Sequence, residues 1–251
     1  MMEKIRINDV SKQFNLSGKN RVTTLKGINL SISEGSFVVI LGRSGCGKST
    51  LLNILAGIIS ASEGEVFIDG QKVMGTHPSR SILFQEPSLL PWLTVEENIS
   101  FGCRIRDDLN NLDERVQQYI NMINLNGFER HLPSELSVGM SQRVCLARAF
   151  IGNPDILLMD EPFGALDTFT RGILQEELVS IWKRQGFTVI FVTHDIEEAI
   201  LLGTRVVLMG DVPGRIIDVF DVDLPYPKDT LDDSFLQIKK AIMEKFRESM
   251  K

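Results

Sequence analysis

Residues 42–50 read GRSGCGKST, and the pattern around them organises the whole chain. The apolar run SFVVIL (36–41) precedes them, and the helix-like stretch STLLNILAG (49–57) overlaps their end, which gives the order strand, glycine loop, helix. Glycines let the backbone curl tightly, so that successive N–H groups and the start of the helix face one anion. The sequence therefore predicts a phosphate-binding loop.

Two side chains of this loop carry the predicted chemistry. Lys48 would reach the outer phosphates of a nucleotide, and Ser49 would coordinate Mg²⁺. A glycine-rich turn with a chance lysine is the alternative, and the complete strand–loop–helix context disfavours it. Cys46 is predicted to be a packing residue rather than a redox switch. The loop residues expected to contact the nucleotide are Gly42, Arg43, Ser44, Gly45, Cys46, Gly47, Lys48, Ser49 and Thr50.

A pair of acids ends another buried strand, in the stretch DILLMDE (155–161). The carboxyl ends of the strands are the edge where α/β sheets bind their ligands. Asp160 would hold Mg²⁺ there, and Glu161 would polarise the attacking water. An acid pair after a strand is a weak signal alone, because turns often hold acids, but it becomes strong beside the phosphate loop.

Two further strands end in polar side chains, Gln85 after SILF and His194 after TVIFVT. A lone histidine is more often an unimportant loop residue. Both residues nevertheless fall at the predicted sheet edge that carries Asp160, which favours a functional role for each.

The distribution of apolar runs predicts the fold class. The runs at 36–41, 81–84, 155–160 and 188–193 are typical of strands buried on both faces of a parallel sheet. Helical patterns alternate with them, so the core is expected to be α/β. Strand and turn signals up to about residue 70 predict an additional antiparallel sheet.

Residues 87–153 are predicted to form an all-helical lobe inserted between two core strands. TVEENISFGCRIR (94–106) has a helical pattern, and LDERVQQYINMINL (112–125) has a second one. Asn111 is expected to cap that second helix in a capping box with Glu114. One apolar face of this helix contains Val116, Ile120 and Ile123.

The C-terminal extension, 221–251, begins with a proline-punctuated piece and ends in an amphipathic helix. Four apolar residues share one face of this helix, and we expect that face to pack on the chain's own domain. A regulatory or partner-binding role is the alternative. The four residues are Phe235, Ile238, Ile242 and Phe246.

Composition disfavours several classes of protein. A formal net charge of −6 and a sequence pI near 5.2 argue against a nucleic-acid binder, whose footprint is usually basic. Three scattered cysteines disfavour a disulfide framework or metal cluster and fit a reducing cytoplasm. No secretory signal or apolar run of about 18 residues is present, so any membrane association is expected to come through a partner.

With these motifs in order, the chain resembles the nucleotide-binding subunits of ATP-binding cassette (ABC) transporters over residues 5–219. GRSGCGKST resembles Walker A, ILLMDE resembles Walker B, and LSVGMSQR (136–143) resembles the signature sequence. Gln85, Asp167 in GALD and His194 stand at the Q-loop, D-loop and switch positions, and Phe14 stands where the family stacks an aromatic ring on adenine.

The resemblance implies a P-loop NTPase (RecA-like) α/β core with an antiparallel β subdomain and an inserted α-helical subdomain. The ATPase domain would span 1–220, with the helical subdomain at about 87–153. FQEPSLLPWLTVEENISFG, MDEPFGALDTFTR and PGRIIDVFDVDLP are similar to the nitrate, sulfonate and taurine importer ATPases. This finer resemblance suggests import of a small anionic solute without fixing which one.

The family resemblance also implies a mechanism. Two identical subunits would face each other head to tail, so that Ser137 and Gly139 of one close over ATP held by the other. Glu161 would be the base, His194 would contact the γ-phosphate, and Lys48 would bind the phosphates. Asp167 would link the two sites. The predicted metal-binding residues are Ser49, Gln85 and Asp160.

The implied partners are transmembrane permease subunits and an extracytoplasmic substrate-binding protein, with the chain peripheral on the cytoplasmic face of the membrane. An ABC-type ATPase acting on nucleic acid or ribosomes is the main alternative. It is disfavoured because the chain has no coiled-coil insertion, tandem cassette or basic segment. A P-loop kinase of a small molecule would leave the signature, Asp167 and His194 unexplained.

The signature departs from the usual LSGGQ of the family at Val138 and Met140. A methionine cannot make the hydrogen bonds of an amide. We predict that Val138 is the first helical residue and that Ser137 caps the helix, which costs only a few tenths of a kcal/mol. The competing hypothesis is a strained Val138 with φ above zero and a slow ATPase.

Overall fold

The computed structural model describes residues 2–15, 21–164 and 166–248, and its contacts divide the chain into two compact units. The first unit comprises Met1–His77 with Val179–Lys251, and the second comprises Pro78–Leu178. The strands of the described residues are β1 (Glu3–Asn15), β2 (Arg21–Ser33), β3 (Phe37–Leu41), β4 (Glu63–Ile68), β5 (Gln71–Lys72), β6 (Arg80–Leu83), β7 (Ile156–Asp160), β8 (Thr188–Thr193), β9 (Arg205–Met209) and β10 (Ile216–Asp221).

The helices of the same residues are α1 (Lys48–Ala56), α2 (Val95–Ile105), α3 (Leu112–Met122), α4 (Val138–Phe150), α5 (Thr168–Gln185), α6 (Ile196–Leu202) and α7 (Asp233–Glu248), with a 3₁₀ turn at Pro133–Glu135. Helix α5 begins in the second unit and ends in the first. None of the helices described combines the length and apolar composition needed to span a membrane.

The first unit contains the predicted antiparallel sheet, in the order β2-β1-β4-β5. Strand β1 pairs on both sides, with Ile7 opposite Leu30 of β2 and opposite Val66 of β4. These three side chains are buried, and their neighbours along each strand are largely exposed. The alternation shows that one face of this sheet covers a core, as a period of two predicts.

A second sheet of the first unit contains β3 parallel to both β8 and β9, with β10 antiparallel to β9. Every residue of β3 and β8 is buried, which is why these strands are continuous apolar runs in the sequence. Because β3 and β8 run in the same direction, the loop that follows β3 and the residue that follows β8 emerge at one edge.

The second unit pairs β6 with β7 in parallel, with Leu83 opposite Met159. The two strands end together, so the residues after them share an edge as well. Helices α2, α3 and α4 lie between these strands in the chain and enclose an apolar core. Val116, Ile120 and Ile123 all belong to that core, as the helical periodicity predicts.

The expected capping box of α3 is wrong. Asn111 does occupy the cap position, but its backbone is left-handed (φ 48°, ψ 34°) and its side chain makes no capping hydrogen bond. Side-chain capping requires an extended residue, so Glu114 has no box to complete. The equivalent box forms instead at α2, where Thr94 accepts from the Glu97 N–H and the Glu97 carboxylate accepts from the Thr94 N–H.

The C-terminal helix α7 packs on its own unit, as expected, since Phe235 and Ile242 are completely buried. The segment leading to it buries the side chain of Lys228, whose ammonium donates to the carbonyl oxygens of Ile200 and Gly203. An ammonium group so enclosed is expected to lose its proton more readily than one in water.

This buried ammonium generates a prediction about stability and pH. Burial, with a smaller effect from the charge of Lys183, lowers the pKa of Lys228 from 10.5 to about 7, while burial raises the pKa of the adjacent Tyr226, which stays protonated. Between pH 7 and pH 10.5, Lys228 of the unfolded chain holds a proton that Lys228 of the folded chain has released. The free energy of unfolding therefore rises with pH in this range. The stability advantage of the protein over its Lys228→Met variant should therefore grow from pH 7 upward.

Urea denaturation of both proteins at a series of pH values measures this difference. The matched control is Lys240→Met, which makes the same substitution at a lysine of α7 whose side chain is mostly exposed. A Lys228→Met difference that stays constant from about pH 6 to about pH 9 would contradict the shifted pKa.

Candidate nucleotide-binding site

The loop after β3 has the conformation expected of a phosphate-binding loop. Gly45 and Gly47 have φ of 84° and 101°, in the left-handed region that glycine adopts without strain. A Cβ at Gly47 would also lie 2.7 Å from Cδ2 of Leu25, whereas a Cβ at Gly45 would meet nothing within 4 Å. The loop thus packs closely against Leu25 at Gly47, whereas the space beside Gly45 is open.

The side chain of Lys48 folds back over this loop. It is 4% exposed, and its Nζ donates to the carbonyl oxygens of Gly42 at 2.9 Å and Arg43 at 3.0 Å. The ammonium therefore lies inside the curl of the backbone, where a phosphate would meet it together with the N–H groups. Ser49 is exposed at the start of α1, and Thr50 is half-buried.

Cys46 is a packing residue, as predicted. Its side chain is buried, and burial raises the pKa of its thiol despite the opposing effect of the nearby Lys48. A thiol that resists ionisation is a poor nucleophile and a poor redox sensor.

The structure brings His194 to the same edge as the loop. The N–H of Gly42 donates to the carbonyl oxygen of Thr193 at 3.3 Å, so the first residue of the loop is bonded to the residue before His194. His194 is exposed at the end of β8, immediately before the cap of α6. Within the first unit, the start of the phosphate loop and His194 therefore lie side by side.

Phe14 lies near the end of β1, opposite Val22, with about a third of its surface exposed. The ammonium of Lys12 is 5.0 Å from the centre of its ring. This geometry is a cation–π contact, and it shows that the ring presents a face to charged or aromatic groups.

The second unit brings together the residues after β6 and β7. Asp160 is the last residue of β7, and Glu161 follows it in a left-handed conformation with φ of 45°. Such a backbone costs on the order of 1–3 kcal/mol in a residue other than glycine, and it is concentrated at functional sites. Gln85 is exposed two residues after the end of β6.

The signature stretch has the predicted geometry at its start. Ser137 is extended (φ −69°, ψ 161°), its hydroxyl accepts from the N–H of Met140 at 3.2 Å, and Val138 is the first residue of α4. Val138 has no positive φ and is about half exposed, so the hypothesis of a strained residue is wrong. Met140 packs on the apolar core of the helical lobe instead of offering a hydrogen bond.

Gly139 has room for a side chain within its own chain, because a Cβ there would lie 3.6 Å from Leu166 and Thr170.

Asp167 has a local role that the sequence did not reveal. Its carboxylate accepts from the N–H groups of Phe169 and Thr170 at the start of α5. A hydrogen bond from the side chain of Thr170, together with these backbone bonds, holds the pKa of Asp167 below its usual range. Ala165, the second residue of GALD, lies outside the described residues.

Two side chains of α4 join motifs of the second unit and escaped the sequence analysis. Gln142 is 2% exposed, and its amide nitrogen donates to the carbonyl oxygen of Pro162 and, at 3.5 Å, to that of Gln85. Arg148 donates to the carbonyl and the hydroxyl of Ser88, at 2.9 Å each. A polar residue on the apolar face of a predicted helix is the signal that could have singled out Gln142.

The donor set fits magnesium better than a transition metal. Among the described residues, no group of three or more His, Cys, Asp and Glu side chains could hold a metal ion. Magnesium bound with a nucleotide needs only one or two protein oxygens, since phosphates and water complete its shell. The hydroxyl of Ser49 and the carboxylate of Asp160 are ligands of that kind.

Comparison with known proteins agrees with this geometry. The profile of the family described as "ABC transporter" matches residues 25–164. An aliphatic sulfonates import ATP-binding protein, SsuB of Bacillus cereus, is 46% identical over 242 residues, which cover 96% of this chain and 95% of that protein. The chain belongs to the ABC transporter family. As a member, this ABC subunit is an ATPase coupled to transport.

Other relatives place the ABC subunit in the same group. SsuB of Bacillus subtilis (strain 168) is 41% identical over 245 residues, covering 98% of this chain and 95% of that one. The solved structure of the ATP-binding cassette MJ0796, a dimer in a post-hydrolysis state bound to ADP and Pi, has a TM-score of 0.77 and 32% identity. It covers 88% of this chain and 100% of that one, which confirms the P-loop NTPase fold with its two subdomains.

The unstrained backbone at Val138 predicts that this residue does not slow the enzyme. Val138→Gly should leave the rate of ATP hydrolysis within about twofold and lower stability by a few tenths of a kcal/mol, because glycine is a slightly poorer helix former. Steady-state phosphate release and urea denaturation measure the two effects. Ser137→Ala is the control for the cap and should cost about 1 kcal/mol. A rate more than about fivefold higher in Val138→Gly would revive the slow-enzyme hypothesis.

Proposed function

We propose that the chain is the MgATP-hydrolysing subunit of an importer of aliphatic sulfonates or a closely related small anion. The observation that carries the proposal is the exposed start of α4, where Ser137 and Val138 lie at the surface. The N–H groups of the first turn of any α-helix have no helical partners, and at α4 this turn is exposed. Such a helix start attracts a phosphate, and the phosphate loop of the chain already provides one such start at α1.

The chemistry at the phosphate loop uses the residues assigned from the sequence. Lys48 and the N–H groups of residues 42–50 would bind the phosphates, and Ser49, Asp160 and Gln85 would supply the protein oxygens that hold Mg²⁺. Glu161 accepts a proton from the attacking water, and His194 donates to the γ-phosphate. When bound, the metal neutralises charge on the phosphates.

A second copy of the chain completes each site. Ser137 would donate its hydroxyl hydrogen to the γ-phosphate held by the partner, because its oxygen already accepts from Met140 N–H. Gly139 would let the backbone approach, and Asp167 would link the two sites across the two-fold axis. Phe14 would stack on adenine. The dimeric structure of MJ0796 supports a dimer of this kind of subunit.

The permease would dock on the second unit. A cavity of about 180 Å³ opens there between the loop after β6 and helices α2 and α4. Its lining includes Phe84, Glu86, Ser88, Gly102, Arg106 and Arg148. An acidic side chain of the permease would be attracted to Arg106 and Arg148 at this cavity, and Arg148 would transmit a displacement to Ser88 and α4 through its hydrogen bonds.

The rest of the system follows from the relatives. Their names as aliphatic sulfonate importers support that substrate class and, with it, an extracytoplasmic substrate-binding protein. The subunit would then be peripheral on the cytoplasmic face of the membrane and would not act on nucleic acid. We further propose that residues 1–220 form the ATPase domain, with a helical subdomain at about 87–153, and that 221–251 form an extension.

Replacement of the proposed base tests this function. Glu161→Gln should bind ATP with unchanged affinity, lose at least about 100-fold in turnover, and form a dimer that depends on ATP, because the amide cannot accept the proton of water. Phosphate release, equilibrium binding of a fluorescent ATP analogue and size-exclusion chromatography with and without MgATP give the three readouts. Glu176→Gln, at an exposed residue of α5, is the control with the same change in charge. Normal hydrolysis by Glu161→Gln would show that Glu161 is not the base.

A further inference from the structure

Helix α6 is short and begins directly after the proposed switch histidine. It comprises the seven residues Ile196–Leu202, and Asp195 caps it by accepting from the N–H groups of Glu197 and Glu198. Helices of this length are marginal on their own in water, so their geometry depends on what surrounds them. Because His194 precedes the cap, a displacement of α6 would carry the imidazole with it.

The start of α6 is bonded to the strand that precedes His194. The hydroxyl of Thr193 donates to the buried carboxylate of Glu198 at 2.5 Å and accepts from the N–H of Asp195 at 3.0 Å. These two bonds bracket the backbone of His194 between β8 and the first turn of α6. The orientation of the helix and the position of the histidine are therefore linked.

The end of α6 is held by the C-terminal extension. The ammonium of Lys228 donates to the carbonyl oxygens of Ile200, at 2.8 Å, and Gly203, and the hydroxyl of Tyr226 donates to that of Leu202 at 2.5 Å. Carbonyls at the last turn of a helix lack helical partners, and the side chains of Lys228 and Tyr226 provide the donors that these carbonyls need.

The same extension also reaches the first turn of α6. Lys239 of α7 forms an ion pair with Glu197, and Phe235 and Ile242 are completely buried on the inner face of α7. Residues 226–242 thus contact both ends of α6. The extension is bound at both ends of the helix rather than at one point, so it can fix the direction of the helix axis.

We infer that the C-terminal extension fixes the position of α6 and that Tyr226, Lys228 and Lys239 are positioning residues for His194. The inference rests on the proposed contact of His194 with the γ-phosphate. The extension would not touch ATP. It would hold the imidazole at the sheet edge, next to the loop that binds the phosphates, so that no binding free energy is needed to order it at each turnover.

The first test removes the contact with the end of the helix. Lys228→Met in the full chain should lower kcat for ATP about tenfold and leave the Kd of a fluorescent ATP analogue within about twofold, because only the positioning of His194 is lost. His194→Ala is measured in parallel, alone and combined with Lys228→Met. The double variant should be no more than about twofold slower than His194→Ala, since both changes act through the same imidazole.

The second test uses the exposed ion pair, which avoids a buried substitution. Lys239→Glu should lower kcat several-fold, and the exchanged pair Lys239→Glu with Glu197→Lys should restore it. Lys240→Glu, at the neighbouring exposed residue of α7, should have no effect. Unchanged kcat in both Lys228→Met and Lys239→Glu, or fully additive losses with His194→Ala, would overturn the proposal that the extension positions His194. A normal rate in His194→Ala itself would instead overturn the proposed role of the histidine.

Discussion

The whole account depends on one property of the α-helix, the unpaired N–H groups of its first turn. Helix α1 presents that end within a curl of glycines that encloses the ammonium of Lys48. Helix α4 presents it beside the hydroxyl of Ser137. Each end favours an anion by a modest amount, and two ends that share one phosphate would bind it far better than either alone. The γ-phosphate is thus the physical link between the two subunits of the proposed dimer.

This link explains why the unusual residues of the signature are tolerated. The cap of α4 uses only the side chain of Ser137 and the N–H of Met140, so the side chain at 140 is free to pack on the helical lobe. Val138 occupies the first helical position, where β-branching has a small cost. The anion-binding property belongs to the backbone and the cap, which both survive these substitutions.

Local patterns predicted the fold class and most of the strands and helices that carry the candidate site residues. Continuous apolar runs identified β3, β7 and β8, and the cap chemistry at Ser137 placed the start of α4. The capping box predicted at Asn111 was wrong because asparagine also favours a left-handed backbone. The sequence does not say which of the two conformations a turn will select. The contacts of Lys228 join residues 25 and 28 positions apart in the chain without any periodic signal, so they became visible only in three dimensions.

The central claim is that the start of α4 serves the nucleotide of another subunit, and mixing two inactive variants tests it most directly. Ser137→Asp keeps a good cap and sets a negative charge against the phosphate, whereas Lys48→Ala disables the phosphate loop. Neither variant should hydrolyse ATP alone. In a mixed dimer, the intact loop of the first variant would face the intact α4 of the second, so mixing should restore phosphate release. No activity at any ratio, with mixed dimers shown to form, would mean that α4 acts on its own chain's nucleotide and would contradict the account.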